Sequence, residues 1–278
     1  MTLLEVDGLR VAYPGRGFRR PANEVLHGVS FDVAAGETLG LVGESGSGKT
    51  TIGRAILGLV RPSGGTIRFD GRDITNSTPA MRRSSSADIQ VVFQDPYTSL
   101  NPSMTIGDIL AEPLIAHGQA RGAARERVRT LLDQVGLPSN ASQRLPREFS
   151  GGQRQRVAIA RALTVEPRLI VCDEPVSALD LSTQARVLDL FIDIQRETGV
   201  AYLFISHDLA VVRHVSHRVA VAYHGDIVEI GDAAKVTSQP DHDYTKSLLL
   251  AAPVANPDAQ AQRRRDRAAL KELQRASS

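Results

Sequence analysis

Eight residues constrain this chain more than any others: Gly43-Glu44-Ser45-Gly46-Ser47-Gly48-Lys49-Thr50. They match G-x-x-x-x-G-K-[ST], and they stand between the apolar run ETLGLV and the helical pattern TTIGRAILGL. Gly43, Gly46 and Gly48 let the backbone curl so that successive N–H groups point into one concavity. Ser45, Ser47 and Thr51 belong to the same cradle. The helix that follows adds the positive end of its dipole, so a triphosphate fits the concavity. Lys49 is placed to reach the β- and γ-phosphates, and Thr50 Oγ to bind Mg²⁺. This loop alone leaves kinases, GTPases and ATPases all open.

A second acidic site narrows the choice. The strand-like run Leu169-Ile170-Val171-Cys172 delivers Asp173 and Glu174 at its C-terminal end. In α/β sheets, ligands sit at that end of the strands. Asp173 is suited to hold Mg²⁺ through water, and Glu174 to polarise a water aimed at the γ-phosphate. The bland alternative for Glu174 alone is a surface acid at a strand end. Cys172 reads as a small buried hydrophobe.

Composition sets the remaining bounds. With 278 residues, 42% hydrophobic and 23% charged, the chain can bury a substantial core. No stretch approaches the roughly 18 consecutive apolar residues of a membrane helix. The first residues, MTLLEVDGLRVAYPGR, lack the pattern of a secretory leader, and the single cysteine excludes an internal disulfide. A cytosolic protein is expected. The net charge of +2 divides unevenly. Residues 263–278 carry six basic and two acidic side chains, +4, which leaves −2 for residues 1–262. A near-neutral body argues against a nucleic-acid binder, which wants a basic face on the domain. The basic tail reads as a solvated segment or as a contact for anionic headgroups or a partner.

Along the chain, LLEVDGLRVAY, VLHGVSFDV and TIRFDG alternate as half-buried strands do, with the Gly/Pro/Arg-rich PGRGFRRPANE as a loop. RERVRTLLDQVGL and SGGQRQRVAIARALTV are helical. RLIVCDE, STQARVLDLFIDIQRETG and AYLFIS then form a strand–helix–strand unit, and RVAVAYHGDIVEIGD reads as a final hairpin.

Glu148-Phe149-Ser150-Gly151-Gly152-Gln153-Arg154-Gln155-Arg156 opens a helix with a good N-cap at Ser150 and two glycines in its first turn. Such an end accepts an anion, yet the first loop already provides for the phosphates. The redundancy disappears if each Ser-Gly-Gly turn closes over a nucleotide held by another subunit. Here the sequence resembles the ATP-binding cassette (ABC) family. Phe149-Ser150-Gly151-Gly152-Gln153 matches its signature, with Phe in place of the commoner Leu. By the same resemblance, Gln94, after IQVVF, is the glutamine that senses the Mg²⁺ site and links it to the transporter. Ser177-Ala178-Leu179-Asp180 is the D-loop that crosses the dimer interface, His207 after AYLFIS is the switch histidine at the γ-phosphate, and Tyr13 stacks on adenine.

The resemblance implies an α/β fold: a P-loop NTPase (RecA-like) core with an antiparallel β subdomain and an inserted α-helical subdomain. Residues 1–94 and 163–232 are expected to form the nucleotide-binding core, 95–162 the helical signature subdomain, and 233–278 a C-terminal extension with the basic tail. It also implies an ATPase at the cytoplasmic face of the cell membrane, peripheral to two transmembrane permease subunits. A second ABC ATPase subunit, preferably a different one, would complete the dimer, and an extracytoplasmic substrate-binding protein would supply cargo.

Narrower stretches are similar to the oligopeptide/dipeptide importer subgroup. They are Phe93-Gln94-Asp95-Pro96-Tyr97-Thr98-Ser99-Leu100-Asn101-Pro102, Met104-Thr105-Ile106-Gly107-Asp108, Glu112-Pro113-Leu114 and Asp243-Tyr244-Thr245-Lys246-Ser247-Leu248-Leu249 before Ala252-Pro253. Asp243 stands where that subgroup usually has Pro. Phe149, Val176-Ser177-Ala178-Leu179-Asp180 and the PVANPD ending together resemble its second, F-type ATPase subunit. Many members carry a Cys-rich tail with an iron–sulfur cluster; this chain has no such cysteines, so no cluster is expected. ATPases for nickel, glutathione or antimicrobial peptides, and soluble non-transport ABC ATPases, share the same chemistry.

Overall fold

The computed structural model describes residues 1–15, 22–78, 81–82, 85–95 and 99–251. The basic tail, the PVANPD ending, Pro253 and Pro96-Tyr97-Thr98 lie outside the described residues.

Two sheets carry the fold. The first is antiparallel, in the order β2-β1-β4-β5, from β1 (Thr2–Tyr13), β2 (Asn23–Ala34), β4 (Gly64–Phe69) and β5 (Arg72–Asp73). The second has six strands in the order β10-β9-β3-β8-β7-β6. Its members are β3 (Thr38–Val42), β6 (Ile89–Val92), β7 (Leu169–Asp173), β8 (Ala201–Ser206), β9 (Arg218–Tyr223) and β10 (Asp226–Asp232). β9, β3, β8, β7 and β6 run parallel, and β10 returns antiparallel to β9 as the expected hairpin.

Strand pleating divides the apolar residues between two cores. From β7 and β8, Ile170, Cys172, Tyr202 and Phe204 join one core, while Leu169, Val171, Ala201, Leu203 and Ile205 join the other. The second core also takes α1 (Lys49–Ile56) and the inner face of the antiparallel sheet. The first takes α2 (Ile106–Ala116), α3 (Arg121–Gln134), α4 (Gly151–Leu163) and α5 (Leu181–Thr198). Phe191 of α5 meets Tyr202 and Phe204 edge to face, both at 5.4 Å. Strands covered on both faces need continuous apolar runs, which is why TLGLV and AYLFIS do not alternate. Burial pushes the Cys172 thiol pKa well up, which keeps it a packing group.

A smaller third core contains Val42, Val219 and Val221 with α6 (Leu209–Val215) and α7 (Ala233–Val236). Leu248 and Leu249 of α8 (Asp243–Ala251) pack against it. The segment 233–251 therefore lies against the sheet, beside the strand that ends at Val42.

This topology sets the site. β3, β8, β7 and β6 are consecutive neighbours, and their C-terminal ends lie side by side, Val42 opposite Ser206, Ile205 opposite Asp173, Cys172 opposite Val92. At about 4.8 Å per strand, the residues just beyond these ends share one edge about 14 Å wide.

Candidate functional site: a phosphate cradle at the strand ends

The loop after β3 folds into a tight cradle. Gly43 has no room for a side chain: a methyl group there would lie 2.1 Å from the Ala222 carbonyl oxygen of β9. Gly48 caps α1 at φ 99°, a conformation open to glycine and strained for other residues, and no side chain caps this helix. The N–H groups of the first turn are therefore left for a ligand. Lys49 is buried, and its ammonium donates to the carbonyl oxygens of Gly43 at 2.7 Å and Glu44 at 2.9 Å. Burial lowers its pKa, and the charges of Glu174, Asp173 and Glu44 oppose the shift. The hydroxyl of Ser47 is buried with no hydrogen-bond partner among the described residues. An orphaned buried hydroxyl inside a lysine-bearing cradle suits a multiply charged oxyanion.

Four strand ends meet beside it. Thr50 Oγ1 donates to Asp173 Oδ1 at 3.1 Å. Burial raises the pKa of Asp173, and the Thr50 hydrogen bond works against that shift. These hard oxygen donors suit Mg²⁺. No group of three or more His, Cys, Asp or Glu among the described residues is arranged to hold a metal unaided. Glu174 sits at φ 49°, in the left-handed region, with its N–H donating to Ile205 O at 3.0 Å. Its carboxylate oxygen Oε2 lies 3.0 Å from His207 Nδ1 and accepts from Gln94 Nε2 at 3.4 Å. Tyr13, from the antiparallel sheet, brings its hydroxyl 3.4 Å from Thr51 Oγ1.

Ser150, Gly151, Gly152, Gln153 and Asp180 form a second cluster. Ser150 Oγ accepts from Gln153 N–H at 3.4 Å, and Gln153 Oε1 accepts from Ser150 N–H at 3.0 Å, a closed capping box at the start of α4. Asp180 caps α5, accepting from Thr183 N–H at 3.0 Å and Ser182 Oγ at 2.7 Å. These hydrogen bonds, that of Ser182 first, hold its carboxyl far below the usual range. The two helix starts touch: a methyl group at Gly152 would lie 2.2 Å from Thr183 Cγ2. Ser177 Oγ donates to Glu174 O at 3.0 Å, tying the second cluster back to the first.

A profile of the ABC transporter family matches residues 26–177, more than half of the chain. The chain belongs to the ABC transporter family. The cassette is 51% identical over 267 residues to the glutathione import ATP-binding protein GsiA of Escherichia coli (strain K12). It is equally similar to GsiA of Shigella flexneri serotype 5b. Each match covers 94% of this chain, which spans 43% of the length of these relatives. Among solved structures, cbiO1 from Clostridium perfringens, part of the ABC transporter complex cbiONQ, superposes with a TM-score of 0.76. It is 25% identical, over 89% of this chain and 95% of that one. The ATP-binding cassette MJ0796, dimeric and bound to ADP and Pi in a post-hydrolysis state, gives a TM-score of 0.74 at 27% identity. That match covers 83% of this chain and 99% of the other. The fold is the α/β P-loop NTPase cassette that the family resemblance implied. No helix among the described residues is long and apolar enough to cross a membrane.

Sequence reasoning assigned no role to Tyr244, whose hydroxyl lies 3.0 Å from Glu44 N. No spacing rule connects positions 200 residues apart, and only the packing of α8 reveals the contact.

Proposed function

We propose that the cassette binds and hydrolyses ATP, and that hydrolysis powers import of small peptides through a membrane ABC transporter. The observation that carries this reading is the convergence on one sheet edge of Lys49, the Thr50–Asp173 pair and the Gln94–Glu174–His207 cluster. The phosphates of ATP lie in the loop from Gly43 to Thr51, on its N–H groups and the hydroxyls of Ser45 and Ser47. Lys49 exchanges its carbonyl partners for β- and γ-phosphate oxygens and stabilises charge on them. Thr50 and Asp173, with Gln94 nearby, would hold Mg²⁺, which neutralises phosphate charge when bound. Glu174 takes the proton of the attacking water, giving ADP and phosphate, and His207 orients its carboxylate. Tyr13 stacks on the adenine.

The Ser150–Gln153 turn and Asp180 serve the nucleotide of a second ABC ATPase subunit, preferably a different chain. Closure then rests on contacts that exist only in the dimer, which is what shifts a conformational equilibrium. Residues 95–162 form the helical unit, set between the two parts of the core, 1–94 and 163–232. Two permease subunits place the cassette at the cytoplasmic face of the membrane, and a substrate-binding protein delivers cargo. Oligopeptides and dipeptides follow from the subgroup stretches. Glutathione, itself a short peptide, is the second reading, favoured by the 51% identity to proteins named for glutathione import.

Replacing Glu174 with Gln tests the chemistry. Phosphate release should fall by about 10²- to 10⁴-fold while ATP binding persists. Wild-type turnover by Glu174→Gln in the assembled transporter would reject the assignment. Uptake of labelled dipeptide, oligopeptide and glutathione by vesicles carrying the co-purified complex decides the cargo. An ATP-trapped Glu174→Gln homodimer on light scattering would replace the heterodimer.

A further inference from the structure

The last described helix reaches the outer side of the phosphate loop. Tyr244, the second residue of α8, accepts the Glu44 N–H at its hydroxyl oxygen, 3.0 Å away. Glu44 N–H and Gly43 C=O belong to one peptide unit, which is planar and trans, so its two polar groups point in opposite directions. At the opposite edge of that plane, Gly43 O accepts from Lys49 Nζ at 2.7 Å. One peptide plane is thus gripped at both ends, by the Tyr244 hydroxyl outside the cradle and by the Lys49 ammonium inside it.

The grip is itself braced. The Tyr244 ring lies on Tyr223, with centroids 4.0 Å apart and planes tilted by 32°. Tyr223 ends β9, and two residues later Gly225 N–H donates to Ser47 O at 3.1 Å. Leu248 and Leu249 anchor α8 on the core that contains Val42. Glu229 of β10 accepts the N–H groups of Asp241 at 2.8 Å and His242 at 3.1 Å, fixing the entry to the helix. Burial raises the pKa of the Tyr244 hydroxyl, so it stays neutral near physiological pH.

We propose that Tyr244 is a positioning residue for Lys49, acting through the Gly43–Glu44 peptide plane. It holds the Gly43 carbonyl at the orientation that keeps the ammonium inside the cradle before phosphate arrives. The proposal rests on the reading that Lys49 binds nucleotide phosphate. It gives α8, 200 positions along the chain, a part in nucleotide affinity.

The test is Tyr244→Phe in the full-length chain, which removes the hydroxyl and keeps the ring on Tyr223. Losing one hydrogen bond to a backbone N–H should weaken ATP and ADP binding, and raise the KM for ATP, by about three- to tenfold. The kcat should move by less than about twofold, since the hydroxyl touches no reacting atom. The thermal midpoint without nucleotide should stay within about 2 °C of wild type, whereas Tyr244→Ala, which also removes the ring, should lower it by more. Unchanged affinity and KM in Tyr244→Phe, with normal wild-type binding, would overturn this inference alone. A weakened affinity accompanied by a midpoint as low as that of Tyr244→Ala would assign a structural role and overturn it too. A wild-type chain that binds no ATP would overturn both this inference and the reading beneath it.

Discussion

Two helices of this cassette begin in glycine, and they begin differently. At α1 the cap is Gly48 at φ 99°, with no capping side chain, and a buried lysine and an unpartnered Ser47 hydroxyl stand beside it. At α4 the cap is Ser150, closed on Gln153 by two hydrogen bonds, and exposed. The first start is a complete anion cradle with its own cation and its own acids. The second closes its Ser150 and Gln153 N–H groups locally, and its first three residues, Gly151, Gly152 and Gln153, carry no charge. If, as proposed, the second start serves another subunit's nucleotide, this asymmetry follows. A turn that gripped phosphate strongly by itself would compete with the loop, whereas a weak one acts only when the dimer presents phosphate to it.

The largest effect expected from testing this contrast is at α1. Lys49→Ala should weaken ATP binding by about 100-fold, the worth of one or two charge-assisted hydrogen bonds, as read by fluorescent nucleotide titration. Retained affinity would mean that the cradle does not depend on its cation.

The next effect belongs to α4. Gly152→Ala places a methyl group 2.2 Å from Thr183 Cγ2, so either Thr183 leaves its rotamer or the two helix starts separate. Steady-state hydrolysis in the assembled transporter should fall by about tenfold, while ATP affinity of the isolated chain changes by less than about twofold. Adding Thr183→Ser removes the opposing methyl group, keeps the backbone N–H that Asp180 accepts, and should restore turnover. Equal losses of affinity and turnover in Gly152→Ala would erase the distinction between the two starts.

The smallest effect is on stability. Ser150→Ala opens the capping box and should cost about 1 kcal/mol, measured by urea denaturation of the isolated chain, whose own nucleotide affinity should not move. No loss of stability would mean that the box contributes nothing to closing that helix end.

The loop was legible in the sequence because its parts are contiguous: strand, glycines, lysine and helix follow one another within twenty residues. Glu174 was legible because it follows an apolar run that must be a buried strand, and strand ends are where such sheets bind ligands, whereas His207 was legible only through the family resemblance. Their meeting at 3.0 Å was not written in either run. It depends on β8 lying between β3 and β7, a neighbour order that no local pattern encodes. Tyr244 is the clearest case. An aromatic in an amphipathic helix looks like a packing residue, and only the seating of α8 on the Val42 core turns its hydroxyl toward the loop. The boundary of α1 shows a milder limit. The helical pattern runs on to Leu59, but the helix stops at Ile56, and Gly58 at φ 68° turns the chain away.

One oxygen of Glu174 receives both Gln94 and His207. Those partners come from the ends of β6 and β8, on either side of β7. Rotation of the carboxylate is therefore decided by two neighbouring strands at once, not by the strand that carries it. A displacement at the β6 end that drew Gln94 away would leave His207 as the sole director, and one at the β8 end would do the reverse. The angle of this one side chain thus depends on two supports that belong to different strands.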